Sequence, residues 1–409
     1  MTSSRLDTPG LNPDQPIPNA PFYSPETEYI QGAYSPVIIG EGLTIDGDYL
    51  ETTSTPTPSV SITENTTFYV AVDGSDVDGD GSQTNPWATP HKAMSVLSHY
   101  IIWEDAQVII QCSAGEYTFN TPLNIDHPYG KQIVIQGEVT GPRPSIGTLT
   151  SAGYGYNPTA RAHNLSVLSG VYETVFSCNA CNGVEAFNVS GVTLNDILIA
   201  AATQTENTAG ICAGIVLGKV TGYSPSYRGL PSTATIRLGN VAVFGFEMAG
   251  VLAVGGTVTF DPNSGIVCSC NDNDGFFGGG LMALSNGVIS SADIIAVNNQ
   301  WGWAAAEGGA IPGYGFANGN QNGIYVAVGG LADITNGNAA NNIDTVFKVA
   351  NGGIIRAQNV NSITLSAGNL AEVNGAGFID LVGAALHPSA VLDPPADTIG
   401  NGLGYIRTV

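Results

Sequence analysis

Basic residues are scarce: 11 Lys and Arg stand against 34 Asp and Glu, a formal net charge of −23. So few cations offer no basic patch to nucleic-acid phosphates or to an anionic membrane surface. A polyanionic sugar would be repelled unless a metal intervened. Charge of either sign is thin, at 11% of residues, whereas 43% are hydrophobic, too apolar for a disordered chain. No apolar run reaches the ~18 residues of a membrane span, so no membrane insertion is expected. The opening MTSSRLDTPGLNPDQP has no apolar centre and does not read as a secretory signal. Cysteines are few, at six, and too irregularly spaced for a disulfide framework. They are expected to be reduced, in a chain made in a cytoplasm. Neutral or weakly charged surfaces, cations, or further copies of the chain remain as partners.

What the chain has in quantity is glycine, 53 residues of it. Each glycine inside a helix costs about 1 kcal/mol, so the composition points to strands and turns. Residues 1–63 stand apart: they are rich in Pro, Ser and Thr, with a short hairpin expected within YSPVIIGEGLTIDGDYLETT. Pro removes backbone donors, so this stretch cannot form a continuous sheet. It reads either as a flexible linker or as an arm that orders against a partner. TTFYVAVDG at 66–74 is the first clear strand, and Thr89 with Pro90 opens a short helix whose Ala93, Met94 and Leu97 share a face. From 183 onward the pattern is strand, small-residue turn, strand. The glycine pairs near 329, 352 and 375 recur every 23 residues, within the range of solenoid repeats. Coils of this size stack short strands into parallel sheets, with Gly where the chain turns sharply or backbones approach closely. Asn clusters at 271–275, 298–300 and 336–342 suit left-handed turns and stacked amide ladders.

TFYVAVDGSDVDGDGSQTNPWATPHKAMSVL at 67–97 resembles the opening of right-handed parallel β-helix proteins of the pectin-lyase-like superfold. Tyr69, Gly74, Ser75, Asp76, Asp80, Gly81, Trp87, Ala88, Thr89 and Pro90 carry that resemblance, and Gly115, Tyr117 and Phe119 match the next coil. The resemblance covers 67–385 and implies an all-β solenoid with a short N-terminal capping helix. Residues 1–63 are similar to the attachment arms of phage tailspikes and tail fibres, notably in IIGEGLTIDGDYL. That likeness implies a homotrimer held to other virion proteins through 1–63, a β-helix body at 64–385 and a C-terminal tail at 386–409. It also implies a place in the virion tail after assembly in the host cytoplasm, and grooves that meet host cell-surface polysaccharide. The fold hosts lyases, hydrolases, adhesins and spikes, so activity does not follow from it.

Several residues can carry chemistry. Asp76, Asp78 and Asp80 in DVDGDG stand at calcium-loop offsets, although Trp87 occupies the twelfth position, where an EF-hand needs Glu. The alternative is a solvated turn; no other cofactor is expected. Cys178 and Cys181 with Cys268 and Cys270 can supply four thiolates to zinc, or be small core residues. Glycosidases need two carboxyl groups roughly 5–9 Å apart, for which Asp272, Asp274, Asp293 and Glu307 are candidates. Trp301 and Trp303, just before Glu307, offer stacking faces for a sugar; these acids and rings read equally as turn residues and core cover. The few basic residues between 150 and 385 are scattered, which disfavours a lyase. Three Gly- and Tyr-rich stretches, at 151–164, 221–229 and 307–321, read as loops on a binding side, with Tyr223, Tyr227 and Tyr314 as contacts, or as plain solvated loops. Three functions follow: a tailspike-like protein that recognises host polysaccharide, with or without hydrolysing it, a cellular β-helix enzyme that degrades polysaccharide, and a purely structural virion protein.

Overall fold

The structure is a computed structural model. It describes residues 60–409 except 156, 188–190, 202–212, 222–227, 231–232, 261–265, 270, 272–277, 361–368, 386–390, 394 and 396–403, together with strands at 27–28, 37–38, 43–46 and 49–52. For those four strands and for residues 60, 219–221, 228–230, 266–267, 291–293 and 369, only the backbone is described. The chain divides into two compact units, 1–60 and 61–409. In the first unit Leu43–Asp46 pairs antiparallel with Tyr49–Thr52, as the sequence predicts, and Thr27–Glu28 pairs with Val37–Ile38.

The second unit is all-β and built on three long parallel sheets, here A, B and C, of 12, 7 and 10 strands. The chain visits them in rotation. Val108–Cys112 lies in A, Gly115–Phe119 in B and Leu123–Asn124 in C; Ile133–Gln136, Thr174–Cys178 and Val184–Ala186 then repeat the order. Each strand pairs with the one a full circuit later, which is compatible with a parallel β-helix or solenoid. Because strand side chains alternate between faces, every second residue points inward and stacks on its counterpart in the next circuit. In sheet B one such column runs Tyr117, Phe176, Ile199, Val243, Cys268, Ala296, Ala317. In sheet C it runs Val184, Ile215, Val251, Leu281, Trp303, Ile324, Phe347, Ala371. All are buried and belong to one continuous core.

The corner from B to C explains one column of the glycines. Asn271, Asn299, Asn320 and Asn342, all fully buried, form a ladder in which each side-chain amide donates to the next side-chain oxygen, at 2.9, 3.1 and 3.3 Å. Beside it runs a column of Gly250, Gly280, Gly302 and Gly323. A Cβ on any of them would lie 2.8–3.0 Å from a ladder amide nitrogen and closer than 3 Å to the backbone of the circuit above. Only glycine fits there. At the C-to-A corner successive circuits instead use paired left-handed residues: Ser285 and Asn286, Glu307 and Gly308, Val328 and Gly329, Asn351 and Gly352.

At the N-terminal end, strand Thr66–Val70 is the edge of sheet A. The chain returns along its open side: Ala71 N–H donates to Trp87 O, and Trp87 N–H to Tyr69 O. Helix Pro90–Leu97 follows, N-capped by Thr89, with Ala93, Met94 and Leu97 buried as predicted. The stretch 151–164, expected as a loop, differs. Helix Pro158–Ser169 starts within it, capped by the Asn157 side chain and with Pro158 in its first turn. With Ile146–Leu149 it covers the outer face of sheet B, where Leu149, Leu168 and Tyr172 bury Leu198, Ala242, Phe244, Ile295 and Val297. Its weak amphipathic pattern hid it, because only Ala160, Asn164 and Leu168 are buried.

Candidate functional site: the outer face of sheet C

The outward side chains of sheet C form one column: Val216, Leu252, Met282, Ala304, Tyr325, Lys348, Glu372, Asp393. Its character changes along its length. Val216, Leu252, Met282 and Ala304 are buried in an apolar cluster of their own. From Tyr325 onward the column is half-buried to exposed and polar. At that boundary the Tyr325 ring meets the Trp301 ring, with centroids 5.2 Å apart and planes inclined at 47°. Strand Trp301–Ala305 carries the tryptophan, and strand Asn322–Ala327, one circuit on, carries the tyrosine. Burial raises the Tyr325 hydroxyl above its ordinary pKa, so it stays a neutral donor and acceptor at physiological pH.

Polar groups border the two rings. Lys348 Nζ pairs with Glu372 Oε2 at 3.3 Å, and Asn374 donates to Glu372 Oε1 at 2.6 Å. On the neighbouring corner Gln321 donates to Asp344 at 2.6 Å, and Asn322 to the Gln300 carbonyl at 3.4 Å. The surface thus offers two aromatic faces, amides, and one lysine already matched by a carboxylate. Such a surface can stack against a ring with an apolar face and exchange hydrogen bonds with hydroxyls.

The other predicted residues fall elsewhere. Trp303 is a correction: it is 0% exposed, stacked between Leu281 and Ile324, so its ring cannot meet a sugar. Strand alternation would put Trp301 and Trp303 on one face, yet Trp301 is half-buried and meets Tyr325 whereas Trp303 stands in the core column. Gly315 makes room for the buried indole, since a Cβ there would lie 2.7 Å from it. Tyr314 is 43% exposed but lies on sheet B, not sheet C, against Phe316. Glu307 is an exposed turn residue at φ 54°, in the position that Ser285, Val328 and Asn351 take in neighbouring circuits. It accepts a hydrogen bond from Ser285 Oγ at 2.7 Å, and its conformation belongs to the corner rather than to any site of its own. Asp293 lies at a bulge: the pairing of Ser291–Val297 with Gly313–Asn318 slips between Ala292 and Ile294. Asp272, Asp274, Tyr223, Tyr227 and Cys270 lie outside the described residues.

Asp76, Asp78 and Asp80, the candidate calcium loop, lie in the turns between the first strand and the helix. Asp76 Oδ1 accepts from Ala88 and Thr89 N–H at 2.8 and 3.0 Å, and its Oδ2 from the Thr89 hydroxyl at 2.6 Å. Asp80 accepts from Ser82 N–H at 2.8 Å, and the Ser82 hydroxyl and N–H hold it below the usual carboxylate range. The Asp76 and Asp80 carboxylates thus bond to their own turn and to the start of the helix. Among the described residues no three His, Cys, Asp or Glu side chains converge as metal ligands, and Cys268 stands in the core column away from the Cys178 corner. Among them, too, no helix is long and apolar enough to cross a membrane.

Neither the aromatic pair nor the polar column at its border announces itself as a motif; Tyr325 was missed because GIYVAVGG reads as an ordinary strand. Comparison with known proteins found no family model that matches this chain and no match among curated proteins.

Proposed function

We propose that this chain is a right-handed parallel β-helix attachment protein, similar to phage tailspikes and tail fibres, which recognises host cell-surface polysaccharide on the outer face of sheet C. In this reading helix Pro90–Leu97 caps the helix, three copies form the working unit, and residues 1–63 join it to the rest of the virion tail. The observation that carries the glycan reading is the Trp301–Tyr325 pair, two rings presented by successive circuits of one rigid sheet. Rings held by strands lose little freedom on binding, and their spacing is set by the stacking of circuits. The excess of acid favours a neutral or weakly charged glycan over a polyanion.

Glycan-array or titration binding with purified protein tests this. Trp301→Ala and Tyr325→Ala are each expected to weaken binding roughly 10-fold, in line with about 1.5 kcal/mol for a lost aromatic contact. Full affinity in both folded variants would overturn the site. Hydrolysis of the bound glycan is the second reading, favoured by the bulge at Asp293, since bulges often re-aim side chains beside active sites. Asp293→Asn is then expected to abolish shortening of the polysaccharide while leaving its binding intact; unchanged shortening removes Asp293 from the chemistry.

A further inference from the structure

Strand Thr174–Cys178 of sheet B ends at a corner, and strand Val184–Ala186 of sheet C begins beyond it. The corner opens with Cys178-Asn179-Ala180-Cys181, and Ala180 takes the left-handed conformation, at φ 54°. That turn folds the second cysteine back towards the first: Cys178 pairs with Phe119 across the sheet and donates its thiol to the Phe176 carbonyl at 3.7 Å, while the Cys181 thiol donates to the Phe119 carbonyl at 3.5 Å. Their surroundings differ. Cys178 is 1% exposed and stacks on Phe119 in the core. Cys181 lies at the margin of that core and is partly open to solvent.

The neighbouring Cys178 thiol lowers the Cys181 pKa and the Asn179 N–H supports it; burial and the Glu185 charge oppose this, leaving Cys181 below its ordinary value. Cys112 and Cys268, fully buried, are pushed far upward instead. One thiol of the corner pair is thus partly open to solvent and acidified, and the other is buried three residues back across the same tight turn, an arrangement of attacking and resolving sulfur. The corner also tolerates loss of the Cys181 proton. That thiol donates to the Phe119 carbonyl at 3.5 Å, and the same carbonyl keeps the Asn179 N–H at 2.7 Å.

We propose that Cys178 and Cys181 are a redox-active dithiol that closes to a disulfide on meeting a small-molecule disulfide such as glutathione disulfide. The Cys181 thiolate attacks one sulfur of the oxidant and expels one glutathione thiolate, leaving a mixed disulfide. Cys178 then gives up its proton and attacks Cys181 Sγ, expelling the second glutathione thiolate. Two protein S–H groups are oxidised, one S–S bond of the oxidant is reduced, and the released thiolates take up the two protons. The closed form staples the turn from sheet B to sheet C.

The full chain is incubated with excess glutathione disulfide under native conditions, quenched with N-ethylmaleimide, denatured, labelled again and digested for mass spectrometry. The peptide holding both cysteines is expected to lose two hydrogens and take no label, while Cys112 and Cys268 take label only after denaturation. Cys178→Ser should stop the reaction at a glutathione adduct on Cys181, and Cys181→Ser should not react, with circular dichroism confirming the fold of each. Full labelling of both thiols in the wild type, a lasting glutathione adduct there, or an unreacted Cys181 in folded Cys178→Ser would each overturn the proposal.

Discussion

Asn320 serves four partners at once. Its Oδ1 accepts from the Asn299 N–H and side-chain amide, and its Nδ2 donates to the Ala296 carbonyl and to Asn342 Oδ1. Asn320→Ala strands buried donors and acceptors on three neighbours and is expected to cost about 2–4 kcal/mol in chemical denaturation. Asn320→Asp should do no better at neutral pH, because a carboxylate accepts where the ladder needs a donor. The sequence shows Asn clusters and suggests stacked amides, but not which Asn turns inward. Asn298 and Asn341 stand beside ladder members yet occupy left-handed turn positions instead. His127 makes a pH prediction at the same scale. One ring nitrogen lies 2.9 Å from the Leu97 carbonyl and the other accepts the Tyr129 N–H, so the ring is held neutral, and burial lowers its pKa. A lowered histidine pKa means that the unfolded chain binds the proton more readily. Stability should therefore be full above the ordinary histidine value and fall as pH drops from that value towards the lowered one. Urea titrations from neutral to mildly acid pH are expected to show this fall, and His127→Gln to lose most of it.

Elements differ in how openly the sequence declares them. Helix Pro90–Leu97 was legible because its cap, its proline and its three buried positions agree. The strands from 183 onward were legible through their alternation and the spacing of glycine pairs at left-handed corners. Helix Pro158–Ser169 was not, since Tyr, Gly and Arg around it resemble loop composition and its apolar face is narrow. What it contributes is a cover: Arg161 lies over the Phe244 ring at 4.9 Å, and Asn164 donates to Ser269 Oγ at 2.5 Å, tying the helix to strands about 80 and 105 residues away. Leu168→Ala is expected to cost about 3 kcal/mol through the cavity it leaves. It should also loosen the helix from sheet B, seen as raised dye binding by the uncovered apolar face. The candidate site was half legible in the same way. Trp301 stands out as a residue, but its partner comes from the next circuit, and only the circuit length brings Tyr325 to it.

The unit of residues 61–409 behaves as a linear array, since each circuit pairs mainly with its neighbours. Its last circuits carry an outward column on sheet A of alternating sign: Asp333, Arg356, Asp380, Arg407. Burial raises the Asp380 pKa, but hydrogen bonds from Arg407, Gln358 and the Val382 N–H, with the Arg407 charge, outweigh it and hold the group below the usual range. A lowered carboxylate pKa contributes stability above its ordinary value that is lost as pH falls through the folded one. Asp380→Asn should therefore lower the melting temperature at neutral pH, and the gap to wild type should close in acid.

The amide ladder runs one way, each member handing its hydrogen to the next across 28, 21 and 22 residues, as far as Asn342, its last member among the described residues, which also donates to the Ala317 and Ala339 carbonyls. Growth by duplication is thereby quantised: a gained or lost segment that carries one whole rung with its Asn and its facing Gly restores the chain of donors. A segment of intermediate length leaves an amide facing nothing, so lineages of this protein should differ in length by whole rungs within this stretch.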